Sequence, residues 1–341
     1  MMKKSLIALA VLAASGAAMA QSSVTLYGRV DAALAGTKTT LGGVGTRQTG
    51  IQDGAGAGLT GSRWGIRGSE DLGGGLKANF MLENRFNVDN GTSSVTPFFA
   101  GSSYVSLSSG FGEVKLGRTY TPLFYVRGIA QLNNLWDTAF TPTVGVNGVG
   151  GDYAIRGDNS VTYDSPKFGG FKGSAMYAFG ENKTATTDAS SIAGLNLMYA
   201  NGPVAVAYAH QREETRVGLV NANNKFNTLA AAYDFGVAAL SAGYNHRKGD
   251  APLATAGKDR EYSIGVNVPV KAFAFSAGYA HSKYENGPLT TKGKGFALGA
   301  KYSLSKRTTL YTGYKRVKVD TGVAAAEQKI TLLSAGVRHD F

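Results

Sequence analysis

Read from Gln21 onward, the chain alternates apolar and polar residues with a period of two almost everywhere, the mark of strands with unlike faces. "VTLYGRVDA" sets Leu26 and Val30 against Tyr27, Arg29 and Asp31. "SRWGIRGS" sets Trp64 and Ile66 against Arg63 and Arg67, and "LKANFMLENR" sets Leu76, Ala78, Phe80 and Leu82 against Lys77, Asn79, Glu83 and Arg85. "EYSIGVNVP" and "GFALGAKYSL" repeat the pattern, as does the final "ITLLSAGVRHDF", in which Leu333, Ala335, Val337 and Phe341 share one parity. No amphipathic helix of useful length is apparent. About sixteen such segments can be counted, at the length expected of tilted membrane strands. They begin near residues 23, 62, 76, 99, 112, 156, 171, 190, 202, 225, 236, 259, 271, 293, 306 and 328.

The connections alternate in length. Short ones read "EDLGGG", "SSGFG", "PKFGG", "ANGP", "DFG", "VPVK" and "LSKR". Long ones are expected near 36–60, 87–98, 119–155, 181–189, 212–224, 248–258, 284–292 and 319–327. Short turns at one end and long loops at the other are the layout of an outer-membrane barrel. A secreted β-sandwich would also alternate. The barrel is favoured because Tyr, Trp and Phe cluster near strand ends on the apolar faces, where aromatic girdles sit, and because the polar faces suit a wet lumen. A barrel also requires its last strand to pair with its first.

Composition narrows the address. Lys3 and Lys4 lead into a short apolar run and then "AMA", a secretory signal peptide over 1–20 with cleavage after Ala20. Removing those two lysines lowers the net charge from +12 to +10. The chain has no Cys, which excludes disulfides, thiolate catalysis and Cys-ligated metals. His210, His246, His281 and His339 lack ligand spacing, and no GxSxG elbow appears, so neither a metal, a cofactor nor an enzyme is expected. The Gly-dense "GAGAGLTG" at 54–61 precedes no helix and reads as a flexible loop. "RGD" at 156–158 reads as the point where a loop re-enters the wall, not as an adhesion tripeptide.

Several blocks together resemble the general trimeric porins of Gram-negative bacteria, of the β-proteobacterial type. They are "SSVTLYGRVDA", "SRWGIRGSEDLGGGLKANFMLE", "FGEVKLGRTYTP", "RGDNSVTYDSPKFGGF" and the terminal "GVRHDF". The resemblance spans essentially all of 21–341. It implies an all-β, sixteen-stranded transmembrane antiparallel barrel, assembled as a homotrimer, with the long loop 119–155 folded into the pore. It also implies passive diffusion of small hydrophilic solutes and ions.

Carried over residue by residue, the basic ladder of the constriction would comprise Arg29, Arg63, Arg118 and Arg156. Arg67 and Arg85 are further wall candidates, and Arg127 is a basic residue within the loop. Arg118 breaks the parity of Val114 and Leu116, so it needs a bulge or must already belong to the loop. Glu83, Asp137 and Asp152 are the acidic candidates. Basic residues outnumber acidic ones at this place, which points to mild anion selectivity rather than the cation preference of many relatives. The resemblance assigns the terminal Phe341 to recognition by the outer-membrane assembly machinery. Partners would be membrane lipids and lipopolysaccharide, not nucleic acid. A substrate-specific sugar or carboxylate channel, a barrel lipase and an adhesin remain as rival readings.

Overall fold

The computed structural model describes residues 23–130, 138–142, 153–218, 220–253 and 256–341. Seventeen strands there form one antiparallel sheet. In chain order they are β1 (Ser23–Leu41), β2 (Val44–Asp53), β3 (Ser62–Gly73), β4 (Leu76–Phe86), β5 (Ser102–Ser109), β6 (Gly112–Tyr120), β7 (Arg156–Asp164), β8 (Phe171–Phe179) and β9 (Ser191–Asn201). They continue with β10 (Val204–Val217), β11 (Val220–Asp234), β12 (Ala239–Gly249), β13 (Gly257–Val270), β14 (Phe273–Asn286), β15 (Leu289–Ser303), β16 (Thr308–Asp320) and β17 (Gln328–Asp340). Among the described residues, two α-helices, α1 (Gly54–Ala57) and α2 (Pro122–Ala130), and a single 3-10 turn (Ala324–Ala326) interrupt them.

The seventeen strands fill sixteen positions around a closed barrel. From β3 to β17 each strand pairs with the next, and β1 closes the ring on β17 in continuous register from Arg29↔Asp340 to Leu41↔Gln328. On its other edge β1 is shared. Residues 32–41 pair with β2, and residues 23–29 pair with β3. The second position is thus one strand broken in two. Only Val30 and Asp31 of β1 lie opposite the break, whereas the other side inserts 54–62 there.

The two faces follow the predicted parity. Leu195, Leu197, Leu229, Ile264, Leu298 and Leu333 are outward and exposed, as a lipid-facing band requires. Their neighbours Asn196, Thr228, Ser263, Ala297 and Ser334 are inward and buried. Aromatic pairs such as Phe171–Tyr199 and Phe273–Tyr302 sit beside the short turns, and Phe296–Tyr314 and Tyr244–Tyr262 lie toward the other rim.

Three expected loops are in fact strand. Residues 36–41 continue β1 into a hairpin with β2 through Gly42 and Gly43, whose φ of +55° and +89° suit the tight turn. Residues 212–217 and 220–224 extend β10 and β11, and 284–286 and 289–292 extend β14 and β15. These stretches are polar on both faces because they rise past the hydrocarbon boundary. Their polarity therefore mimicked loops. The Gly-dense 54–61 segment is not an exposed flexible loop either. It turns into the barrel, where Ala57 and Leu59 are buried.

The seam has a tight point. Gly28 and Phe341 exchange both backbone hydrogen bonds, at 3.1 and 3.0 Å. A Cβ on Gly28 would come within 2.5 Å of the Phe341 ring and 2.6 Å of the Arg63 carbonyl oxygen. Gly28→Val should therefore reduce the fraction of chains that close, an overpacking cost of about 1–3 kcal/mol. Gly50→Val on β2, where a Cβ meets nothing within 4 Å, should leave it unchanged. Heat-modifiable migration on SDS gels reads the folded fraction of both variants.

Candidate functional site

Cross-strand register places three arginines side by side on the inner wall. Arg29 on β1 lies opposite Arg63 on β3, and Arg63 lies opposite Arg85 on β4. Like charges directly opposite each other repel, so carboxylates must be at hand. Glu83 is 4% exposed and holds the group together. Its Oε1 lies 3.0 Å from Arg85 Nη2 and 3.8 Å from Arg63 Nη1, and Tyr27 donates its hydroxyl to Oε2 at 3.2 Å. Arg29 pairs with Asp340 across the seam at 3.0 Å. A Cβ on Gly101 would fall 2.2 Å from Glu83 Oε1, so only glycine lets the chain pass so close to that carboxylate.

Tyr120, at the end of β6, joins a fourth arginine to the row. Its hydroxyl accepts from Arg85 Nη2 at 2.7 Å and also from Arg156 Nη2. The Arg156 guanidinium lies 4.0 Å from the Tyr120 ring centroid, a cation–π arrangement, and its Nε donates to the Gly101 carbonyl at 2.6 Å. Phe124 stacks on the other side of the Tyr120 ring at 4.2 Å. Arg67 lies four residues beyond Arg63 along β3, on the same face, over the Tyr27 ring at 5.2 Å.

Residues 121–130, directly after Tyr120, lie against the inner wall. Pro122 starts α2, where its missing N–H costs nothing. Leu123, Val126 and Ala130 of the helix pack with Tyr153 on the inward residues Ala207, Ala209, Phe226 and Ala230 of β10 and β11. Polar ties fix both flanks. Asn196 donates to the Pro122 carbonyl at 2.8 Å, Gln211 to the Ala154 carbonyl at 3.0 Å, and Ala154 N–H to Glu213 at 2.6 Å.

Farther along, Phe140 lies over Gly313, where a Cβ would approach its ring to 2.6 Å, and its ring meets Tyr311 edge-on at 6.4 Å. Ala139 N–H donates to the Gly58 carbonyl at 2.9 Å. The 54–61 insert is itself clamped by Asp31, which is fully buried. Leu59 and Thr60 N–H donate to its Oδ2 at 3.1 and 3.0 Å, and the Tyr311 hydroxyl donates to Oδ1. The break in the second strand is therefore the dock for the far end of the loop.

The structure gathers Arg29, Arg63, Arg85, Arg156 and Glu83, with Arg67 nearby. Arg118 stands beside Arg156 but on the other parity of the wall, its Nε on the Ala100 carbonyl next to the Gly101 carbonyl that Arg156 uses, and Arg127 is held elsewhere. Arg118 faces Ser103 and keeps the outward parity of Val114 and Leu116, because its register with β5 is unbroken; the irregularity between Gly117 and Thr119 is confined to the pairing with β7. It ion-pairs with the exposed Asp158 and donates to the Ala100 carbonyl at 3.0 Å. Arg127 is 1% exposed, 3.5 Å from Glu261 and over the Tyr153 ring at 5.3 Å. It fastens α2 to β13 and offers no free charge to the lumen. Asp137 and Asp152 lie outside the described residues.

Sequence reasoning missed Tyr120, Asp31 and Gly101. Asp31 had a signal: a lone acid on an inward face beside small residues and a Gly-dense run. Tyr120 had only its adjacency to the bulge.

A closed sixteen-position barrel with an exposed apolar band, a polar interior and a helix, Pro122–Ala130, packed on inward wall residues defines an outer-membrane channel of the porin class. Comparison with known proteins agrees. The family model described as Gram-negative porin matches residues 6–322. The chain is 37% identical over 365 residues to outer membrane porin protein 32 of Delftia acidovorans, with all of both chains covered. It is 32% identical over 358 residues, again with full coverage, to the major outer membrane protein P.IB of Neisseria meningitidis serogroup B. Among solved structures, an anion-selective porin from Comamonas acidovorans superposes with a TM-score of 0.76 at 32% identity, covering 94% of this chain and 100% of that one. The chain belongs to the Gram-negative porin family and lies in the outer membrane.

Replacing Phe140 by Ala should free the loop's far end while leaving wall register intact. Single-channel recordings should then show noisier and larger open-state currents with unchanged heat-modifiable migration.

Proposed function

We propose that this porin is a passive, mildly anion-selective general diffusion channel, without catalytic chemistry, and that its narrowest part is the gap between the Arg63–Arg85–Arg156 row and the loop 119–155. The observation that carries this reading is the in-register row of arginines converging on a single carboxylate, Glu83. Arginine stays charged at any working pH. Several held together in a narrow wet gap raise the local anion concentration. A relative whose name describes it as an anion-selective porin supports the same sign. The chain acts as a homotrimer after cleavage of residues 1–20, and Phe341 presents the closing strand to the assembly machinery.

Reversal potentials in a salt gradient test the selectivity. The wild type should favour anions, and the preference should fade toward 1 M salt, where the screening length falls to about 3 Å from about 10 Å at 0.1 M. Arg85→Gln with Arg156→Gln should move the reversal potential toward cations. Arg118→Gln should not, because that side chain is on the outward parity. A cation-side potential in the wild type would refute the assignment. Deleting Phe341 should lower the amount of inserted protein while the channels that do insert keep their conductance.

A further inference from the structure

The inner wall holds a recess that the arginine row does not explain. It lies toward the short-turn end, about 20 Å along β3 from Arg63 to Ser69 at a rise of ~3.3 Å per residue. Inward positions of four consecutive strands build it. Arg67 and Ser69 come from β3, Asn79 from β4, Tyr104 and Ser108 from β5, and Glu113 from β6. The recess measures about 380 Å³, within the range that holds small solutes.

Register makes its polar groups hold one another. Ser69 donates its hydroxyl to Asn79 Oδ1 at 2.8 Å, and Asn79 Nδ2 donates to Ser108 Oγ at 3.0 Å. The buried Ser106 donates to Glu113 Oε1 at 2.7 Å. Lys115 lies 3.4 Å from Glu113 and 2.6 Å from Asp164, which fixes the far end. The groups are therefore in place before a solute arrives, so little ordering is lost when it binds. Bonding capacity remains open. Arg67 is exposed and, among the described residues, is in no ion pair or hydrogen bond. The Tyr104 hydroxyl has no hydrogen-bond partner there either, although its ring lies 5.5 Å from Lys115 Nζ. Ser108 accepts from Asn79 and keeps its own proton to donate.

We propose that this recess binds a neutral polyhydroxylated solute, a mono- or disaccharide. The inference rests on the reading of the lumen as a solute path and adds a stopping place along it. Charge balance decides the class of ligand. The lining carries one cation, Arg67, and one anion, Glu113, so it lacks the net positive field of the arginine row. A phosphate or carboxylate needs donors alone, and Glu113 meets it with acceptors. An ammonium group meets Arg67. A sugar hydroxyl both donates and accepts, so neighbouring hydroxyls can use Arg67, Ser108, Tyr104 and Glu113 together. The Tyr104 ring offers a flat apolar side to the C–H face of the sugar.

Maltose is the probe, and saturation-transfer NMR on purified porin in detergent measures its binding. Wild type should give a saturable maltose signal and none with tetraethylene glycol, a chain of ether acceptors. Maltobionate, the carboxylate made from maltose, should bind no tighter than maltose. Asn79→Ala/Ser108→Ala should bind maltose about tenfold or more weakly, because two preset hydrogen-bonding groups are lost. In planar bilayers, maltose should add current noise that saturates with concentration in wild type and not in the variant. Without sugar, conductance and reversal potential of the two should match. No saturable maltose signal in wild type, an equal signal from tetraethylene glycol, equal affinity in the variant or tighter binding of maltobionate overturns the proposal. Maltose binding by a wild type that passes no current would sink the diffusion reading and leave the sugar site standing. If heat-modifiable migration shows that the double variant does not fold, Ser108→Ala alone decides, with an expected loss of about threefold.

Discussion

An unpaired N–H or C=O facing hydrocarbon costs several kcal/mol, and a sheet edge is a whole row of them. Pairing of β1 with β17 removes that row, and most of the architecture follows from it. Once the ring is closed, the wall tolerates irregular backbone only where it faces the lumen. The break between β2 and β3 illustrates this. Its excess residues turn inward, and Asp31 satisfies the freed Leu59 and Thr60 amides. The same insert then provides the carbonyl that receives Ala139 from the long loop. Closure, insert and loop thus form a chain of dependence. The ring fixes β1, β1 presents Asp31, Asp31 shapes the insert, and the insert seats the loop.

The arginine row obeys the same logic. Residues opposite each other on adjacent strands cannot separate without shifting register, and a one-residue slip would turn them all outward. Register therefore imposes the repulsion among Arg29, Arg63 and Arg85, and Glu83, Asp340 and the Tyr120 hydroxyl relieve it in part. What remains is a positive field held in place by the hydrogen bonds of the wall itself.

Much of this was legible in the sequence. Period-two alternation located the sixteen wall positions to within a few residues and gave Arg29, Arg63, Arg67, Arg85 and Glu83 their inward parity. The limits were physical. Alternation reports which face is apolar, so it fell silent above the hydrocarbon, where the tips of β10, β11, β14 and β15 are wet on both sides. Arg118 is outward, as the alternation through Val114 and Leu116 has it; its expected inward place rested on the resemblance and would have needed a bulge that the pairing with β5 does not show. Alternation could not show Arg127 buried against Glu261, since those residues are 134 apart in the chain. The Gly-dense insert looked mobile because Tyr311, which packs with Ala57 and Leu59, and Ser334, which donates to the Ala57 carbonyl, lie far away in the chain.

The tall hairpins beyond the membrane boundary have a consequence for how such a chain can vary. At the tip of β10 and β11, Val217 pairs with Val220. Adding or removing one residue on each side lengthens or shortens the ladder by one rung, and every pair below keeps its partner. An unmatched single residue would have to be absorbed as a bulge before the hydrocarbon is reached. Paired changes at the rim can therefore accumulate over generations and alter the height and surface of the rim, while the wall and the arginine row stay as they are.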